Sequence, residues 1–454
     1  MLWDLIRQYQ WFRKQDPVLS VPIDDIEANR PNPNRQHLQQ RAILIRHLFN
    51  LETPAVELWP GIQTYFSYIE TQFERVGPAR FQSVWPKMGY SLPPSVEDCL
   101  RFISSIVTAC RRLDRGLSID EVLQEIVGTS NDSSANSADE REFTPMDRQA
   151  VFTVLAWLTM LVRPSLKTSN ENYHIVVEKK LESLQSMQPL DSATSPMFDL
   201  FRGFGCNVPC EASERSKNRE ETLLRPSSLD FFYLKTVGKV KIRWTYNLDS
   251  HLRFDQRSGT LSLFCLPTYC ALHILSEHNG GSLFDHILCD DPDVQSHDQS
   301  YISLYKREVL LSYRLLFSTK KAQMLFRKKE QRKISGVGGM HDPLLGILCG
   351  QSCEKGIRLL PPELWLETWR DVTGHLYDQD AYSTDTDFPI FGTRLLELQT
   401  FSLSQKAGRL RDIWRDKRDT AQWYTFWAVL VIGGLALLVS LVQVALAVAQ
   451  LRAA

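Results

Sequence analysis

Apolar residues recur at helical spacing through the first third of the chain. Trp59, Ile62, Phe66, Ile69, Phe73 and Val76 make one stripe. Val96, Cys99, Leu100, Ile103, Ile106, Val107, Cys110 and Leu113 make a cleaner one, with Glu97, Asp98, Arg101, Ser104, Ser105 and Arg111 on the opposite face. Ser118 followed by Glu121 is a capping box, and predicts a short helix to Val127. Ala150–Val162 is a run of 13 residues without a charge, too short to cross a bilayer, and reads as a core helix. Thr144 and Pro145 supply its N-cap and first-turn proline. The pattern then changes period. Lys239–Leu266 alternates: "KVKIRW" suits a half-buried strand, and "HLRFDQRSGTLSLF" reads as strand, turn and strand around Asp255–Gly259. Helical spacing returns in Leu283–Leu288, in Tyr301–Phe317, and in Phe391, Leu395, Leu396, Leu398 and Phe401. The expected fold class is mainly α, strictly α+β, with a small antiparallel β element near residues 239–266 and a C-terminal transmembrane helix.

Polar stretches divide the chain. Gly128–Glu142 has almost no apolar residue, and Glu211–Glu221 is a second such loop. The expected layout is a helical region over 1–128, a disordered linker over 129–143, an α-rich cytosolic domain over 144–419 with its polar loop at 211–221, and a transmembrane helix over 424–449.

The last stretch carries the strongest signal. Thr420–Leu451 holds 32 residues and no charge, and its centre, Trp427–Ala449, is 23 residues long. At 1.5 Å per residue that centre covers about 35 Å, enough to cross a hydrocarbon core of about 30 Å. Trp423, Tyr424 and Trp427 stand at its entry, where aromatic rings favour the headgroup region. Arg409, Arg411, Arg415, Lys417 and Arg418 precede the span and only Arg452 follows it. That asymmetry places the N-terminal bulk in the cytosol. The start of the chain has no apolar signal-peptide core, so the expected layout is tail-anchored, and the long apolar span favours the endoplasmic reticulum or another endomembrane. Gly433, Ala436, Ser440, Gln443 and Ala447 recur at spacings of three and four, on one face of the span. Small and polar residues so placed suit close pairing with a second copy or with another single-span helix.

Composition narrows the class. With 454 residues, 22 Gly and 22 Pro, the chain is neither collagen-like nor a low-complexity polymer. Lys+Arg of 52 against Asp+Glu of 53 leaves a net charge of -1, which makes nucleic acid an unpromising partner. The nine Cys are expected as free thiols in a cytosol-facing body. Cys206/Cys210, Cys349/Cys353 and the group Cys265, Cys270 and His273 lack the paired spacing of a structural zinc site.

No motif for chemistry is present. Walker A, the dinucleotide fingerprint, the nucleophile elbow and the H-E-x-x-H pair are all missing, and "GVGG" at Gly336–Gly339 reads as a turn. His251 reads as a hydrogen-bonded core residue. Asp378, Asp380, Asp385 and Asp387 read as a solvated loop without cation-ligand spacing, as do Asp290, Asp291 and Asp293. No catalytic, cofactor-binding or metal-binding residue is therefore nominated. A membrane-tethered enzyme of unrecognised type stays as the alternative; its site would draw on His251, His273 and the Asp378–Asp387 loop.

One charge cluster stands apart. Lys320, Lys321, Arg327, Lys328, Lys329, Arg332 and Lys333 surround Met324, Leu325 and Phe326. The pattern reads first as a solvated basic helix end; it also suits an anionic lipid surface, and resembles a nuclear-localisation or nucleic-acid patch.

"KIRWTYNLDSHLRFDQRSGTLSLF", "FPIFGTRLLELQTF" and "LRDIWRDKRDTAQWYTFWAVLVIGG" together resemble a group of uncharacterised proteins of filamentous fungi that share a tryptophan-rich basic segment and one membrane helix, WYTFWAVL being the most specific element. The likeness covers roughly residues 230–450. It implies a fungal host and a cytosol-facing domain on a membrane, and it carries no activity and no site residue. The expected function is that of a membrane-tethered cytosolic scaffold or interaction protein, in contact with the lipid bilayer and with a protein partner that the sequence does not name.

Overall fold

The fold is given by a computed structural model that describes residues 41, 43–50, 60–76, 81, 83–87, 96–113, 117–130, 143–165, 174–178, 185–206, 222–288, 298–335, 342–350, 357–358, 360–377, 379–405 and 420–453. It is mainly helical, with small sheets.

Both apolar stripes become helices because each has one face to bury. Helix α1 (Pro60–Val76) buries Ile62, Phe66 and Ile69. Helix α2 (Val96–Arg112) buries Leu100, Ile103, Ile106, Val107 and Cys110. Its buried face is wider than the stripe. Phe102 is wholly buried and meets Phe81 and Trp85 edge-on. Helix α3 (Ile119–Ser130) opens with the expected box: the Ser118 amide donates to Glu121 Oε2 at 2.7 Å, and the Glu121 amide donates to Ser118 Oγ at 3.3 Å. It runs three residues beyond Val127, while 131–142 lie outside the described residues.

Helix α4 (Pro145–Thr159) is capped by Thr144 and Asp147 in the same reciprocal way. It is buried on every side from Ala150 to Thr159, as a run of apolar residues without a polar face requires. Met160, at φ 53, adopts the left-handed conformation that ends it. The hydroxyls of Tyr65 and Tyr269 both donate to the Leu158 carbonyl, at 3.1 and 2.8 Å, and so occupy an acceptor freed at this end.

The region near 239–266 forms three strands, β4 (Lys241–Thr245), β5 (Phe254–Asp255) and β6 (Thr260–Phe264), in the order β4-β6-β5. The last two make the expected antiparallel hairpin, closed by a turn in which Asp255 accepts from Arg257 and Ser258 and Gly259 sits at φ 60. The first strand departs from expectation. It pairs with β6 in parallel, Lys241 opposite Thr260 and Thr245 opposite Phe264. The chain leaves β4 on one edge and returns on the other, so the intervening residues act as the crossover that a parallel pair demands. Two antiparallel pairs were not foreseen: β1 (His174–Glu178) with β2 (Gln185–Pro189), and β3 (Leu223–Leu224) with β7 (Tyr382–Ser383).

Four further helices complete the centre. Helix α6 (Pro267–Leu275) lies along α8 (Asp298–Leu316) and against α1, while α7 (Leu283–Leu288) lies against α2 and against the short α5 (Met197–Gly203). Buried residues from both sides of 131–142 belong to one continuous hydrophobic cluster.

Candidate membrane interface

The C-terminal helix, Thr420–Ala453, has 34 residues and is about 51 Å long at 1.5 Å per residue. Within it, Tyr424–Arg452 is long and apolar enough to cross a membrane, and none of its most apolar window is buried inside the protein. Ile432 and Leu437 are 69% and 68% exposed. A core helix of a soluble protein would hide such side chains, as α4 does.

The residues singled out along this helix sit as follows. Trp423 lies in its first turns. Tyr424 is exposed, and Trp427 is half-buried with its ring 6.1 Å from that of Phe426. Gly433, Ala436, Ser440, Gln443 and Ala447 are all exposed, and Ser440 Oγ donates to the Ala436 carbonyl at 3.0 Å. A Cβ at Gly433 would meet nothing within 4 Å, so none of the described residues packs on that point. The basic residues 409–418 lie outside the described residues.

The basic cluster is surface throughout. Lys320, Lys321, Arg327, Lys328, Lys329, Arg332 and Lys333 are exposed. Their apolar neighbours differ: Met324 is 39% exposed, Leu325 is half-buried and Phe326 is fully buried. Phe326 therefore belongs to the core and not to an outer face.

Of the residues weighed for chemistry, His251 and Asp387 are committed to the fold, while both ring nitrogens of buried His273 have no hydrogen-bond partner among the described residues. His251 is buried; its Nδ1 accepts from the Phe264 amide at 3.2 Å, and its Nε2 then carries the proton and faces Ser312 Oγ at 2.8 Å. Burial, with Arg394 adding to it, holds this imidazole neutral, its pKa pushed down to about 3. Asp387 accepts from the Trp369 indole at 2.9 Å and from the Ser383 amide at 2.8 Å, while Asp380 and Asp385 are exposed. Among the described residues, Asp380, Asp385 and Asp387 form no group that could hold a metal ion. Asp378 and Asp290, Asp291 and Asp293 lie outside the described residues, as does the Gly336–Gly339 turn. Among the described residues no disulfide joins Cys99, Cys110, Cys206, Cys265, Cys270 or Cys349; Cys210, Cys289 and Cys353 lie outside those residues. Among the described residues no group of three or more His, Cys, Asp or Glu could hold a metal ion.

One cluster was not legible beforehand. Lys306, 1% exposed, pairs with Asp285 at 2.7 Å and with Glu277 at 2.9 Å, and Arg307 joins Glu277 at 3.0 Å. Burial alone would raise the Asp285 pKa, but Lys306 and its other partners bring it below the usual carboxylate value. Burial holds His273 beside them neutral, with a pKa well below the usual imidazole value. "YKREV" within an amphipathic helix was the available signal, and such runs usually face water.

The fold and this interface define a class: a mainly helical body carrying, among the described residues, one helix fit to cross a membrane. Against protein families, curated proteins and solved structures, the chain finds no match.

Proposed function

We propose that this chain is a membrane-tethered scaffold or interaction protein, held by its C-terminal helix with the N-terminal bulk in the cytosol, on the endoplasmic reticulum or another endomembrane. The observation that carries the reading is the 29-residue span Tyr424–Arg452 with none of its apolar window buried. In water such a surface would far exceed what a monomer tolerates; in hydrocarbon it is satisfied, and the helical backbone leaves no bond unmade. The cytosolic orientation rests on the five-to-one excess of Lys and Arg before the span. The scaffold reading, over an enzyme of unrecognised type, draws support from His251 and Asp387, whose polar atoms are already committed to the fold. Membership of the fungal group that the sequence resembles belongs to the same proposal.

The test is topological. A glycosylation acceptor appended after Ala454 should be modified in cells, and acceptors introduced into surface loops of the body should not. The chain should resist alkaline carbonate extraction and co-fractionate with the endoplasmic reticulum. Modified acceptors in the body would overturn the orientation, extraction would overturn the anchor, and recovery mainly in mitochondria would overturn the organelle.

A further inference from the structure

The segment Lys320–Ser335 has a construction that anchoring does not use. It consists of α9 (Lys320–Leu325), one wide turn over Phe326–Glu330 bonded i to i+5, and α10 (Gln331–Ser335). Ala322, Phe326, Glu330 and Ile334 are buried, one every fourth residue. In an unbroken α-helix each residue advances about 100°, so a four-residue repeat drifts by about 40° at each step. The wide turn holds more residues, each advances less, and much of the drift is cancelled. The four residues therefore keep to one inner line. Phe326 packs on Phe317 and Trp244, with ring centroids 5.5 and 5.9 Å apart. Glu330 pairs with Lys235 of the short helix Phe231–Thr236 at 3.4 Å and with Lys333 at 3.0 Å.

The consequence lies on the outer side. The segment has seven basic residues and a single acid, Glu330, and that acid is inside while all seven bases are outside. Among the described residues no ion pair engages Lys320, Arg327, Lys328, Lys329 or Arg332. In a chain of net charge -1 this is a concentrated cationic face, with Met324 as its exposed apolar member. The tether bounds its range. The 14 residues 406–419 join the body to the span and reach at most about 50 Å when fully extended. The last helix before them, Gly392–Ser404, packs on the short helix Pro226–Leu229, which meets Phe231–Thr236, which in turn packs on α9.

We propose that the outward face of Lys320–Lys333 docks on the anionic headgroup surface of the membrane that the C-terminal helix enters, and thereby sets how the body sits on that membrane. The proposal rests on the anchoring reading. Charge complementarity supplies the attraction, since a cytoplasmic leaflet is negative and each basic residue near it contributes. The span supplies proximity, so that even weak attraction acts within a confined volume.

The experiment uses the full chain in nanodiscs of phosphatidylcholine alone, or with about one-third phosphatidylserine. An amine-reactive ester is applied and acylation of Lys320, Lys321, Lys328 and Lys329 is read by mass spectrometry. Their reactivity should fall about fivefold on the anionic discs and recover in about 0.5 M salt, where screening shortens the reach of the charges. In K328E/K329E/R332E, altered only at exposed positions, Lys320 and Lys321 should react equally on both kinds of disc. Equal reactivity of the native chain on both, or protection that survives salt, overturns the proposal. So does tight capture of an oligonucleotide by this face without any response to anionic lipid, which would mark a nucleic-acid surface. A chain that incorporates but shows no lipid-dependent protection overturns docking alone; one that does not incorporate overturns the anchoring reading as well.

Discussion

Replacing Lys306 by Met isolates the buried charge cluster. The ammonium is 1% exposed and lies 2.7 Å from Asp285 and 2.9 Å from Glu277. Glu277 keeps Arg307 at 3.0 Å when Lys306 is lost, so its charge stays paired. Asp285 keeps only its bonds to the Ser282 amide and hydroxyl, at 2.9 and 2.7 Å. A buried carboxylate deprived of its counter-charge typically costs about 3–5 kcal/mol. At about 2.1 cal/mol/K of unfolding entropy per residue, a body of this size loses roughly 1.1 °C per kcal/mol, so Tm should fall by roughly 3–6 °C. The pH dependence follows from the sign of the shift. In the native chain the Asp285 pKa is lowered, so its stabilising contribution is present above the unfolded value of about 3.9 and is lost as pH falls through the folded one. In the variant, burial is opposed only by the Ser282 bonds and by His273 and Arg111, so that pKa rises above its native value, and the penalty present at neutral pH is relieved by protonation. The gap between the two proteins should therefore be widest near pH 7 and narrow on acidification. Lys306→Met with Asp285→Asn should recover part of the loss, because Asn still accepts from Ser282. The measurement is urea unfolding of the purified full chain in detergent between about pH 4 and 7. A loss under about 1 kcal/mol, a gap independent of pH, or a double variant no better than the single would refute the reasoning.

Two further outcomes are expected. Gly433→Ile with Gln443→Leu should weaken crosslinking between spans in a bilayer, where such contacts contribute about 0.6–2 kcal/mol; undiminished association would remove that face as an interface. Thr144→Ala deletes the cap of α4 and should lower stability by about 1 kcal/mol in a denaturant melt, and an unchanged midpoint would mean that packing alone holds that helix end.

Local features were legible in the sequence because local rules decide them. The stripe in Val96–Leu113, the boxes at Ser118–Glu121 and Thr144–Asp147, the turn at Asp255–Gly259 and the charge-free span each act within a few residues of chain. Solvent and backbone geometry leave such patterns little choice. What only the tertiary structure decided depends on partners remote in sequence. The strand Lys241–Thr245 takes its parallel partner from the path of the chain between strands, not from its own alternation. Leu223–Leu224 becomes a strand only because Tyr382–Ser383 arrives beside it. Lys306 reads as a surface residue until Asp285 and Glu277 make its burial affordable. The seven bases of Lys320–Lys333 are plain in the sequence, but that they share an outer face with their one acid turned inward depends on a widened turn and on Lys235, 95 positions before Glu330. Burial of a charge and choice of a strand partner are set by what else reaches the same place, and a single stretch of sequence does not carry that information.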